Sequence, residues 1–169
     1  MGFSFNDHES TNLTPIRGYT GINFGFGVMY KFLPMFSLGA DMLFIHKSYE
    51  LDDNGTIYRY DPGYLEFPVQ LHFQPVSWFY LHAGPYLASI ILSGTKQGQG
   101  QLDAVKSTFA NDYGVTMGFW IGIPTNPKLH VGIDFRYDYG LADIQFTKWP
   151  NYTIHSRSIM PLFTVTWLW

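Results

Sequence analysis

Apolar and polar residues alternate along most of this chain with a period of two, the spacing that sends successive side chains to opposite faces of a β-strand. The clearest run sets Leu129, Val131, Ile133, Phe135, Tyr137, Tyr139 and Leu141 against His130, Gly132, Asp134, Arg136, Asp138 and Gly140. No helical period fits it. Between 65 and 74, Leu65, Phe67, Val69, Leu71 and Phe73 take one face, and Glu66, Pro68, Gln70, His72 and Gln74 take the other. Segment 21–32 sets Ile22, Phe24, Phe26, Val28, Tyr30 and Phe32 against Gly21, Asn23, Gly25, Gly27, Met29 and Lys31. Segment 113–123 alternates Val115, Met117, Phe119, Ile121 and Ile123 with Gly114, Thr116, Gly118, Trp120 and Gly122, and its glycines leave room on their face.

Extended over the chain, the pattern predicts strands near 1–6, 18–32, 35–47, 57–74, 78–94, 111–123, 129–142 and 157–169. Their connections alternate in length. Those at 33–35, 75–77 and 124–128 are short, whereas those around 7–17, 48–56, 95–110 and 143–156 are long and polar. Short periplasmic turns and long outer loops are the habit of outer-membrane barrels. The expected fold is therefore all-β, an eight-stranded antiparallel up-and-down transmembrane β-barrel over 1–169 as a single domain, with both termini periplasmic. A first strand ending at residue 6 falls short of the ~9–11 residues a tilted membrane strand needs, so this strand is expected to be truncated, with natural residues preceding Met1.

The distribution of side-chain types decides between a soluble and a membrane barrel. A soluble barrel buries its apolar residues inside. Here the apolar face is bulky and nearly unbroken, and the other face carries Gly, Asn, Asp, Glu, Arg, His and Gln, too polar for a dry core. The apolar face must meet lipid. Aromatics make up 19% of the chain and charged residues 14%, against a usual charged share of roughly 25%. The surplus fits interfacial girdles, with Tyr19, Tyr30, Phe32, Phe36, Phe73, Trp78, Phe79, Tyr137, Tyr139, Trp167 and Trp169 near strand ends. The alternating end Phe163-Thr164-Val165-Thr166-Trp167-Leu168-Trp169 resembles the signal read by outer-membrane assembly machinery.

Other classes drop out in turn. No stretch holds the ~18 consecutive apolar residues of a membrane helix. Cysteine is absent, which removes disulfides and thiol chemistry. A net charge of −3 without a Lys/Arg run argues against nucleic acid. The opening Met1-Gly2-Phe3-Ser4-Phe5-Asn6 lacks the basic and apolar regions of an export signal, so an exported protein appears here in mature or trimmed form.

Three motifs, Tyr64-Leu65-Glu66-Phe67-Pro68-Val69, Ala83-Gly84-Pro85-Tyr86 and Phe135-Arg136-Tyr137-Asp138-Tyr139-Gly140-Leu141, resemble the PorT-like outer-membrane β-barrel family of Bacteroidetes in type and order. Ser156-Arg157-Ser158 before an aromatic strand is also similar, and only the short first strand departs from the pattern. The resemblance implies an outer-membrane location. One member is associated with secretion and gliding machinery, and most have no assigned activity.

Candidate chemistry lies on the polar face: Lys31, Asp41, Glu66, Gln70, His72, His82, Tyr86, His130, Asp134, Arg136 and Asp138. An eight-stranded barrel is just wide enough inside for side chains to fill, and buried charges persist only when paired. These groups are read as a polar plug rather than a pore. A regular hairpin about 75–77 would oppose Glu66 to Tyr86 and His82 to Gln70, diagonal to His72, and gives an expected Glu66–Tyr86 contact. His72 and His82 lack a third ligand at suitable spacing, so no metal or cofactor is expected. His46-Lys47-Ser48 and His155-Ser156 sit near the outer rim, where a lipid-modifying enzyme needs base and nucleophile, but neither shows the His-x-Ser-Asn pattern of the lipid A deacylase. The glycine- and glutamine-rich loop 94–111 reads as a contact site. Asn12-Leu13-Thr14 and Asn151-Tyr152-Thr153 match a glycosylation acceptor that depends on a eukaryotic route. The leading expectation is a non-enzymatic structural or protein-interaction subunit, with a secretion or envelope complex as its setting, contacting outer-membrane lipid, lipopolysaccharide and protein partners. A lipid A or phospholipid modifying enzyme and a narrow channel or small-ligand binder are the alternatives.

Overall fold

The computed structural model describes the backbone of residues 2–10, 17–18, 20–47, 49–53, 56–60, 62–92, 95–97, 101–103, 111–126, 129–142 and 154–167, and the side chains of 21, 23–47, 62–92, 111–123, 129–142 and 155–165. In chain order the strands are β1 (Gly2–Ser10), β2 (Arg17–Gly18), β3 (Thr20–Leu33), β4 (Phe36–His46), β5 (Tyr49–Asp53), β6 (Thr56–Tyr60), β7 (Gly63–Val76), β8 (Phe79–Leu92), β9 (Thr95–Gln97), β10 (Gln101–Asp103), β11 (Asp112–Asn126), β12 (Leu129–Gly140) and β13 (Ile154–Trp167). Eight of them close an antiparallel barrel in the order β1-β13-β12-β11-β8-β7-β4-β3. All-β, up-and-down architecture is as the period-two pattern requires.

Several expected boundaries shift. β1 is not a stub ending at residue 6 but a nine-residue strand reaching Ser10. The expected strand 57–74 is two, β6 and β7, with Pro62 outside both, just ahead of β7. Proline lacks the N–H a continuous ladder needs. The long connections are not wholly irregular: β2, β5, β6, β9 and β10 form a second, five-stranded sheet in the order β10-β9-β6-β5-β2 at the long-loop end. The connection 143–153 and the residues 104–110 lie outside the described residues.

The pattern sorts inside from outside. Phe26, Val28, Tyr30, Leu87, Ile123 and Val165 are each at least 62% exposed on the outer wall, as a lipid-facing surface requires. Ring pairs knit that wall, with centroids 5.0 Å apart for Phe24–Phe44 and for Phe119–Phe135, and 5.2 Å for Phe36–Phe73. The interior is not uniformly polar. Leu43, Ile45, Met160 and Leu162 form a buried apolar cluster inside, contributed by β4 and β13.

The β7–β8 register differs from expectation. The turn is Ser77-Trp78, and β7 continues to Val76 past an irregularity between Phe73 and Val76. Pro75 cannot donate to the ladder there. His72 consequently faces His82, Glu66 faces Ala88, and Tyr86 faces Pro68.

Candidate functional site: the barrel lumen

Side chains from six strands meet in the lumen because each strand's alternate residues point there. At mid-height Arg136 on β12 is the central cation. Its Nη2 lies 2.7 Å from Asp41 Oδ2 on β4, and its Nε donates to Asp134 Oδ2 at 2.7 Å. Asp134 uses its other oxygen for His82 Nε2, also at 2.7 Å. His82 Nδ1 meets the Gln70 amide nitrogen at 3.0 Å. With the amide donating to Nδ1, Nε2 carries the N–H that donates to Asp134. The result is a chain from Gln70 through His82, Asp134 and Arg136 to Asp41, linking β7, β8, β12 and β4. Charge-assisted bonds of this length are the strong kind.

Toward the long-loop end a second centre forms around Lys47, whose backbone N–H donates to Pro62 O at 3.1 Å just beyond the end of β4. Its ammonium lies 2.7 Å from Asp112 Oδ2 and 3.7 Å from Glu66 Oε2, with both partners buried. The Tyr86 and Tyr64 ring centroids are 5.1 and 5.4 Å from the same nitrogen. Asp112 Oδ2 also accepts from Tyr86 Oη at 3.1 Å and from Ser156 Oγ at 2.5 Å. Asp138, fully buried, stands opposite Thr116 in the β11–β12 ladder.

Toward the short turns the lumen is closed by stacked rings. Tyr80 and Trp120 lie parallel with centroids 5.0 Å apart, and His130 stacks on Trp120 at 5.9 Å. His72 adds to the pile, 5.0 Å from Tyr80 and 5.5 Å from His82. The Trp120 indole N–H donates to Thr164 Oγ1 at 2.8 Å.

Interior glycines make this filling possible. A Cβ on Gly39 would sit 2.5 Å from His72 Nε2, one on Gly118 would sit 2.8 Å from His82 Nε2, and one on Gly132 would sit 2.6 Å from the Trp120 ring. Each small residue is the space occupied by a large one across the pleat.

Measured against expectation, Asp41, Gln70, His82, Asp134 and Arg136 come together, and Glu66, His72, Tyr86, His130 and Asp138 are buried around them. The expected Glu66–Tyr86 contact is replaced by the Tyr86–Asp112 bond, because the shifted turn changes the β7–β8 register. Lys31 is on the inward register but exposed, since it lies at the short-turn end beyond the packed rings. Lys47 and Asp112 were missed as lumen residues. Lys47 could have been found by extending the inward series Ser37, Gly39, Asp41, Leu43, Ile45, but the two apolar members disguised that face. Ser156, considered as a rim nucleophile, is buried on Asp112.

Comparison with known proteins yields a fold and a family. The family described as "Outer membrane protein beta-barrel domain" matches residues 1–145. No curated protein sequence matches significantly. Among solved structures, the chain resembles the outer membrane protein OprG from Pseudomonas aeruginosa, with 8% identity, a TM-score of 0.56, and coverage of 98% of this chain and 91% of that one. It also resembles Ail, the attachment invasion locus protein of Yersinia pestis, with 11% identity, a TM-score of 0.50, and coverage of 96% and 93%. At such identities these likenesses concern the fold alone.

Proposed function

Because the chain belongs to the outer membrane protein β-barrel domain family and so resides in a bacterial outer membrane, we propose that it serves there as a non-enzymatic structural or protein-interaction subunit. The observation that carries this reading is the filled lumen. Ion pairs at two levels and a floor of stacked rings occupy the space that a conduit would need, and an interior of this size holds little besides side chains. Contact is then left to the outer wall and to the five-stranded sheet at the long-loop end. With the short turns and both termini facing the periplasm, that sheet stands on the cell surface, next to lipopolysaccharide and within reach of protein partners. The motif resemblance to PorT-like barrels favours a secretion or envelope complex.

An enzyme acting on lipid A or phospholipid would need its nucleophile at the lipid rim, and the burial of Ser156 against Asp112 weighs against that assignment. Extraction at native expression in mild detergent tests the proposal. A stoichiometric complex is expected, together with planar-bilayer records free of discrete steps. A lone monomer, stepwise conductance, or a lipid profile that changes on His46→Ala or His155→Ala would overturn it.

A further inference from the structure

Two of the three short turns read Leu33-Pro34-Met35 and Val76-Ser77-Trp78, where turns in water favour Gly, Asn, Asp and Ser. Leu33, Met35, Val76 and Trp78 are each at least 41% exposed, and Ile123, toward the same end of β11, is 70% exposed. Backbone bonds join these ends into one rim. The Gln74 N–H donates to Met35 O at 2.8 Å, and the Gly122 N–H donates to Trp78 O at 3.0 Å. The outward rows lead into the rim without a polar position, Leu71 and Phe73 into Val76, Leu81 and Phe79 into Trp78. A protein-docking patch is edged by polar residues, whereas this surface is continuous with the lipid-facing wall.

Distance decides where the turns lie. Pro34 is two residues beyond Phe32 of the aromatic girdle and two before Phe36. At a rise of ~3.3 Å per residue and a tilt of ~40°, two residues carry the chain only about 5 Å further. The headgroup layer is about 5–7 Å deep on each side of the hydrocarbon, so the apex stays within it. Trp78 sits in its turn outright, and an indole suits that layer. Charge at this end has one sign. No Asp or Glu falls within five residues of any of the three short turns. The charged residues there are Lys31, exposed near the end of β3, and Lys128, which in sequence falls between β11 and β12.

We propose that this rim anchors the barrel in the phospholipid leaflet: its turns lie in the headgroup layer, Leu33, Met35, Val76 and Trp78 reach toward the acyl chains, and Lys31 and Lys128 collect anionic phospholipid around that end. Lysine suits the task because its stem lies along apolar surface while the ammonium stays at the phosphates. The choice of leaflet rests on the reading above that the short turns face the periplasm, where the outer membrane presents phospholipid rather than lipopolysaccharide.

The chain has no cysteine, so Ser77→Cys gives a single site for a fluorophore on the full chain in vesicles of phosphatidylcholine and phosphatidylglycerol. Aqueous iodide should quench this probe weakly. Brominated phosphatidylglycerol should quench it as if enriched at least about fivefold over brominated phosphatidylcholine, and the two should become equal when Lys31→Gln and Lys128→Gln are added. Iodide quenching as free as for the fluorophore in solution overturns the proposal, since the turns would then stand in water, open to a soluble protein. Equal quenching by the two lipids in the parent, or a preference that survives loss of both lysines, overturns the anionic selection. Orientation is read separately. A Gln99→Cys thiol in the long loop should react with a membrane-impermeant maleimide on intact cells, and failure there overturns the choice of leaflet without touching the vesicle result.

Discussion

Replacing Arg136 by methionine keeps most of the side-chain volume and removes the cation that joins Asp41 to Asp134. Breaking a buried pair by deleting one partner costs about 3–5 kcal/mol, because the remaining charge is left buried without compensation. Two features push the expected loss toward the lower end. Asp41 is 18% exposed and can recruit water, and Asp134 keeps its bond from His82. A loss of about 3 kcal/mol at a urea slope of roughly 2 kcal/mol/M moves the unfolding midpoint down by about 1.5 M. Urea titration in lipid vesicles, followed by tryptophan fluorescence, reads this shift. The companion variant carrying Arg136→Met, Asp41→Asn and Asp134→Asn should recover most of the loss, since removing a whole charge set is far milder than orphaning part of it. A single-variant loss below about 1 kcal/mol, or a triple variant as unstable as the single one, would refute the claim that charge pairing holds the middle of the lumen.

Lys47→Met should cost about 3 kcal/mol by stranding Asp112 and Glu66, whereas Lys31→Met should stay within about 0.5 kcal/mol; equal effects in the same titration would contradict their opposite burial. Gly39→Ala should lose about 1–3 kcal/mol by overpacking against His72, and adding His72→Ala should relieve part of it; a silent Gly39→Ala would mean the ring has room to move. On the lipid face, Val69→Arg near mid-wall should cost about 2–4 kcal/mol and Val76→Arg beside the short turn about 0–1; a depth-independent penalty would argue against the assigned membrane position. Opening the floor with Tyr80→Ala and Trp120→Ala should admit small-ion leakage in planar bilayers, and a double variant as silent as the parent would show that the seal lies elsewhere.

What the residues settle unaided is which face each side chain takes. Alternation with period two leaves no freedom in that assignment, so the lipid-facing row Phe67, Val69, Leu71 and the inward row Glu66, Gln70, His72 are legible without coordinates. Composition then turns the barrel inside out, because bulky apolar residues opposite ionisable ones suit hydrocarbon outside and pairing inside. Partner choice was not legible. The bond between Lys47 and Asp112 spans 65 positions and exists only because the barrel closes and brings the end of β4 across from β11. Register resisted for a local reason: Pro75 breaks the ladder beside a two-residue turn, and that shift sends Tyr86 to Asp112 rather than to Glu66. The exposure of Lys31 and the burial of Lys47 show the same limit, since period two gives a face but not a height. Height along the barrel comes from stagger and closure, which arise from hydrogen bonding among all eight strands at once and are properties of the tertiary structure alone.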